Sequence, residues 1–335
     1  MKNRKILDAI SGHRQLFSYH PRYGYTFHKN MRSRYLSPDQ DLGGYYVETD
    51  ANGFRNSASQ SIDATTSGDK LLLLGCSFAA GHGVSNEHRF SDILSTKVKG
   101  VMIYNAALSG TGMDQQYLIL KDLLQDGEFH TVLFSPYSGC AYRNSLQERT
   151  FYDPFLGREC SRPKPYFEIQ NGDFVLKNSP VPHWGQGVES APVPILKTKN
   201  VQRLQRFVTY IALVYGGIDT SPLADCYSGK DIKCHELLIG VLDMIKQECA
   251  DKNVNLVMAP LPSRKDLLNK NAPPYVTFFE SYCIDNAIKF MNVYDHFKEQ
   301  FKLGTEKLFI DADEHYTPRG HEIVADYFSN RLAEE

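Results

Sequence analysis

The chain has 335 residues, 42% apolar and 23% charged, with a formal net charge of −2. That length allows one large α/β domain with insertions, or two domains, and the composition is that of an ordinary soluble globular protein. Scattered lysines and arginines exclude the basic footprint of a nucleic-acid or anionic-membrane partner, and no run approaches the ~20 apolar residues that span a bilayer.

Residues 1–65 are rich in aromatics and turns ("FSYHPRYGYTFHKN", "YYVETDANGFRN"). They read as an extension packed on the core, or as a wall of a cleft. Asn52-Gly53 marks a tight turn. The polar run "SASQSIDATTSGD" (57–69) reads as a loop leading into residues 66–335, the main domain.

From residue 70 short apolar runs alternate with helical segments. "KLLLLG" is a continuous buried strand, and "VSNEHRFSDILSTK" opens a helix at Ser85 or Asn86. "VMIYNA" (101–106) and "TVLFSP" (131–136) are strands on either side of "MDQQYLILKDLLQDG", a helix that stops at Gly127. Strand–helix–strand repetition of this kind predicts right-handed crossovers and a parallel sheet.

Residues 140–230 break the rhythm and read as an insertion. It holds a β-hairpin turning at Asn171-Gly172, the single Trp184 and a helix over 195–217. The pattern then resumes. "HELLIGVLDMIKQECADKN" and "VTFFESYCIDNAIKF" are helices, while "VNLVMAPLPS" and "MNVYDH" (291–296) are strands. The last helix starts at Thr317-Pro318, an N-cap followed by a residue suited to the first turn. The whole predicts a doubly wound, flavodoxin-like three-layer α/β/α sandwich with a mostly parallel five-stranded sheet, plus the extension and the insertion. In such sheets ligands sit at the carboxyl ends of the strands.

Ser77 lies just past the end of the first of these strands, in "LLLLGCSFAAGHGV". A serine there is by default a helix N-cap. It becomes a nucleophile when an imidazole takes its proton, and the imidazole in turn needs an acidic partner. Asp313 and His315 in "DADEHYTPRGH" can supply both, since an extended segment puts residues two apart on one face. Gly110 and Gly112 follow the second strand, where backbone N–H groups can face an oxyanion. A dinucleotide loop is excluded there, because Gln115 holds the third glycine's place and the run follows the wrong strand.

Gly-x-Ser after strand one, "NAALSG" after strand two and Asp-x-His before the last helix resemble, in that order, the GDSL/SGNH hydrolase family, over residues 70–330. "NGFRN" (52–56) also looks like members of that group. The resemblance implies Ser77 as nucleophile, His315 and Asp313 as the rest of the triad, and Gly110 as an oxyanion donor. Two positions depart from it. Cys76 stands where the family has aspartate, as a small apolar residue or a rival thiol. The asparagine expected after strand three is missing from "FSPYSGCAYRNS". Ser138 sits nearest that place, and Arg143 or Asn144 reaches it if the loop folds back.

Arg143 is alternatively a surface residue, or a cation that selects an acidic or polar acyl substrate, and His82 is a residue of the cleft rim. His321 packs or caps. His315 and His321 do not match the spacing of helical zinc ligands, so no metal and no cofactor are expected. The implied activity is cleavage of an ester, with carbohydrate O-acyl esters the preferred class by resemblance. An acyltransferase on the same scaffold and a catalytically weak binding protein are the alternatives. The seven cysteines, odd in number and irregularly spaced, predict reduced thiols. With no apolar core in "MKNRKILDAISGHRQ" to make a signal peptide, the expected compartment is the cytoplasm.

Overall fold

A computed structural model describes residues 16–36, 43–56, 68–153, 158–183, 221–269, 271–304, 307–311 and 313–332. The expected helix over 195–217 and Trp184 lie outside the described residues. Two antiparallel hairpins come first, β1 (Phe17–His20) with β2 (Gly24–Phe27) and β3 (Arg32–Leu36) with β4 (Gly44–Glu48). There follow β5 (Asp69–Gly75), the single turn α1 (Ser77–Ala80), α2 (Phe90–Lys97), β6 (Val101–Asn105), α3 (Met113–Asp126), β7 (Thr131–Ser135) and α4 (Cys140–Arg143). Two more hairpins pair β8 (Glu148–Asp153) with β9 (Arg158–Pro163), and β10 (Tyr166–Gln170) with β11 (Asp173–Lys177). The rest is α5 (Ser221–Ser228), α6 (Ile232–Asp251), β12 (Asn255–Met258), α7 (Arg264–Leu268), α8 (Pro274–Asp285), β13 (Lys289–Phe290), α9 (Val293–Leu303) and α10 (Pro318–Leu332).

The central sheet runs in the order β6-β5-β7-β12-β13, with every neighbouring pair parallel. This is the flavodoxin-like arrangement. The four leucines of β5, Leu71 to Leu74, are at most 3% exposed because helices cover both faces. Each buried leucine contributes about 1.5–3 kcal/mol. α2 and α10 pack together on one face, α3 and α6 on the other.

Two local expectations are corrected. Residues 291–296 do not form a strand. The Asn292 side chain accepts from the Asp295 N–H at 3.1 Å and starts α9, so the edge strand is limited to Lys289–Phe290. The helix expected from Ser85 is a 3-10 turn at Asn86–His88, with α2 starting only at Phe90.

The thiols are not all reduced. Cys226 in α5 and Cys234 in the first turn of α6 form a disulfide, because the helical hairpin brings their Cα atoms to 5.1 Å. Cysteine usage therefore does not argue for a reducing compartment. No helix among the described residues is long and apolar enough to cross a membrane.

"NGFRN" ties the N-terminal hairpins to the loop that carries Ser77. Arg55 is 2% exposed, and its guanidinium donates to the carbonyls of Ala80, Gly81 and Val84 and to Asn86 Oδ1, at 2.6–2.9 Å. Asn56 closes the other side by accepting from the Asn105 N–H at 3.0 Å. Arg55→Met removes the guanidinium donors to those buried carbonyls. It is expected to lower the unfolding free energy by about 2–4 kcal/mol, read from denaturant midpoints.

Candidate active site

β5 delivers Ser77 to the carboxyl edge of the sheet. Gly75 is required just before it, since a Cβ there would lie 2.6 Å from both the Ala79 Cβ and the Ser135 carbonyl. The N-cap position of α1 falls on Cys76, and no side chain caps this turn. The Ser77 hydroxyl is thus not spent as a cap. It lies 2.7 Å from His315 Nε2.

The other ring nitrogen of His315 is hydrogen-bonded to Asp313 Oδ1, which also accepts the His315 backbone N–H at 2.9 Å. The segment is held by an isolated bridge from Phe309 to Tyr316 and by Thr317, whose Oγ1 accepts from the Gly320 N–H at 3.2 Å to start α10. Phe78 walls the imidazole, its ring 4.8 Å from that of His315. Ser77, His315 and Asp313 therefore form one hydrogen-bonded chain of hydroxyl, imidazole and carboxylate.

The electrostatics follow from this geometry. Burial alone would raise the Asp313 pKa, but the charge and hydrogen bond of His315, then His82, hold it well below the usual carboxylate range. Burial alone would lower the His315 pKa, yet the charge and hydrogen bond of Asp313 outweigh it and leave the imidazole above its ordinary value.

His82 is not merely a rim residue. Its Nε2 is 3.9 Å from Asp313 Oδ2 and its ring 4.6 Å from that of His315. His82, Asp313 and His315 are the one group among the described residues whose metal-capable atoms all lie within 4.8 Å of one another. Both ring nitrogens of His315 are already engaged, one by Ser77 and one by Asp313.

The turn after β6 lies alongside. The Leu108 N–H donates to the Gly75 carbonyl at 3.1 Å, which brings residues 108–112 beside the end of β5. Gly110 has φ 84°, and a Cβ there would sit 2.8 Å from the Tyr25 hydroxyl, so this position needs glycine. Neither the Ser77 nor the Gly110 N–H donates to another described residue. Gln115, in the place of a third glycine, accepts from the Gly112 N–H at 3.2 Å and caps α3.

The remaining candidates separate. Ser138 donates its hydroxyl to Asp266 Oδ2 at 3.3 Å, so that hydroxyl is committed elsewhere. Asn144 is 1% exposed and accepts from the Asp114 N–H at 3.2 Å, at the start of α3. Arg143 instead folds back along the cleft. It donates to the Thr111 carbonyl at 3.0 Å and to the Tyr137 hydroxyl at 3.2 Å, with its guanidinium 4.9 Å above the Tyr137 ring. Tyr137 in turn stacks on Phe78 at 5.1 Å. Cys76 is fully buried, as is Cys140. His321 accepts from the Phe90 N–H at 3.3 Å and is kept neutral by burial, then by Arg89 and Arg55.

Sequence reasoning missed Tyr25 and Tyr137, which had no signal among many tyrosines. It noticed "NGFRN" without seeing that Arg55 braces the Ser77 loop.

The fold is similar to solved structures described as G-D-S-L lipolytic proteins and esterases. A lipolytic protein of the G-D-S-L family from Veillonella parvula DSM 2008 is 8% identical, covers 79% of this chain and 99% of its own, and has a TM-score of 0.43. The esterase EstA from a Pseudoalteromonas species is 13% identical over 79% and 97%, with a TM-score of 0.38. A catalytic mutant of Axe2, an acetylxylan esterase from Geobacillus stearothermophilus, is 10% identical over 81% and 96%, with a TM-score of 0.42. No family model matches the chain, and no curated protein does.

A raised folded pKa at His315 means that its favourable charged form stabilises the fold fully below the ordinary value of about 6.5. That contribution is lost as pH rises through the folded pKa. Proton NMR should find His315 titrating above 6.5, and Asp313→Asn should move it downward by a unit or more, on the order of one ion-pair contribution.

Proposed function

We propose that this protein is a serine esterase acting through Ser77, His315 and Asp313. The observation that carries the reading is the unbroken hydrogen-bonded chain from Asp313 Oδ1 through both imidazole nitrogens to Ser77 Oγ. His315 Nε2 takes the hydroxyl proton as Ser77 Oγ bonds to the ester carbonyl carbon. The carbonyl π electrons move to oxygen, and the Ser77 and Gly110 N–H groups hold the resulting oxyanion. The imidazolium faces Asp313, with His82 beyond it keeping that carboxyl ionised. Collapse of the intermediate breaks the bond to the alcohol, which leaves with the proton from His315. Water, deprotonated by the same nitrogen, then cleaves the acyl-enzyme.

Arg143 contributes positive charge where the resembled family has an asparagine. It lies next to Gly110 through the Thr111 carbonyl, and its charge bears on both His315 and Cys76. In this reading a fixed cation, not a neutral amide, supports the developing oxyanion. The substrate class is an O-acyl ester, with carbohydrate esters favoured by the resemblance in sequence. The N-terminal strand β2 then forms one wall of the cleft, through Tyr25, whose hydroxyl donates to the Ser109 carbonyl beside Gly110.

Ser77→Ala is expected to lower kcat on a p-nitrophenyl ester at least about a thousandfold with little change in thermal stability. Retained turnover would overturn the assignment. The wild-type kcat/KM should rise with pH through an apparent pKa above 6.5, because only neutral His315 accepts the proton. A profile flat from pH 5 to 9 would contradict His315 as the base.

A further inference from the structure

Beside the proposed triad stands a group of arginines that ester hydrolysis itself does not require. Arg149 in β8 and Arg162 in β9 are direct partners in the antiparallel register, so their side chains leave the hairpin on the same face. The two side chains thus place like charges opposite each other on one face of the strand pair. The nearby Asp114 carboxylate is taken by Lys164, in an ion pair 1% exposed on both sides. Among the described residues no carboxylate is ion-paired with Arg149 or with Arg143.

This hairpin is aimed at the site. Its end packs on β2, where the Pro163 carbonyl and the Lys164 Cα lie 3.3 and 3.8 Å from a Cβ built on Gly24. The next residue is Tyr25, whose hydroxyl donates to the Ser109 carbonyl at 2.7 Å and touches the Gly110 position. Tyr25 thus bridges from the arginine hairpin to the oxyanion turn. Arg143 reaches that turn from the other side, through the Thr111 carbonyl. The electrostatics agree. Burial raises the Tyr25 pKa to about 12, and the charges that oppose it are those of Arg149, Arg143 and Arg162. Burial and the like charge of Arg143 together depress the pKa of Arg149. The charges of all three arginines thus act on one buried phenol beside Gly110.

We propose that the site takes an ester in which the part lying over Tyr25 carries an anionic group, a carboxylate, sulfate or phosphate, held by Arg143, Arg149 and Arg162. This rests on the serine-esterase reading and names its substrate class. Arginine suits the task because its planar fork pairs bidentately with such oxyanions. The anion belongs either to the acyl group or to the alcohol, and the two differ in which product keeps the charge.

The test compares matched pairs of substrates. In the acyl arm, mono-p-nitrophenyl glutarate is set against p-nitrophenyl valerate. In the alcohol arm, an O-acetylated methyl galacturonide is set against the corresponding acetylated galactoside. The readout is the ratio of kcat/KM, anionic over neutral. One arm should exceed tenfold at low ionic strength, and the excess should shrink as salt screens the charges. Arg149→Gln should bring the ratio toward one, Arg149→Lys should keep only part of it, and Lys97→Gln, the same charge loss on α2, should leave it unchanged. Calorimetry on Ser77→Ala reads the same preference without turnover, with either monomethyl glutarate binding more tightly than methyl valerate or the acetylated galacturonide more tightly than the acetylated galactoside.

A ratio at or below one in both arms, or a ratio indifferent to Arg149→Gln, overturns the proposal. Loss of turnover on the neutral esters bears on the esterase reading instead, and the binding preference then decides the anion site alone.

Discussion

A hydrogen bond of 2.7 Å joins His315 to Ser77 across 238 positions of sequence, and the positions of the other candidate residues follow from what makes it possible. Ser77 must leave β5 on a turn tight enough to expose its hydroxyl, which is why Gly75 has no room for a side chain. His315 must arrive from the far end of the chain already oriented, which Asp313 achieves through both the ring and the backbone N–H. The loop beyond Ser77 must not move, and Arg55 holds it by its carbonyls.

The charges around this bond are arranged asymmetrically. On one side a single carboxylate is shared by His82 and His315, which keeps it ionised and raises the basicity of the imidazole that contacts Ser77. On the other side stands Arg143, which is ion-paired with no carboxylate among the described residues and donates to the Thr111 carbonyl. An imidazolium would be stabilised on the first side, and negative charge on the second. A developing ion pair spread across Ser77 meets fixed charges of the right sign at both ends, in surroundings where water screens little.

Much of this was legible in the sequence because it was periodic or local. Strands β5, β6, β7 and β12 announced themselves as apolar runs, and Gly127, Thr317 and Pro318 marked helix ends. Asp313 and His315 were readable as a pair because they lie two residues apart. What escaped reading depends on distant contacts. Nothing local says that Ser138 turns to Asp266, or that Arg143 returns over Tyr137 to Thr111. Asn292 overrode an apolar pattern because one side-chain cap starts α9. The β8–β9 hairpin and its facing arginines left no alternation strong enough to notice, and the Cys226–Cys234 link depends on how α5 meets α6.

The most direct measurement is a crystal structure of the protein after reaction with a methyl fluorophosphonate. The phosphorus should be bonded to Ser77 Oγ. Its oxygen should lie within hydrogen-bond distance of the Ser77 and Gly110 N–H groups, with His315 Nε2 facing the leaving-group position. Phosphorus found on another residue, or on Ser77 with its oxygen turned away from Gly110, would contradict the account.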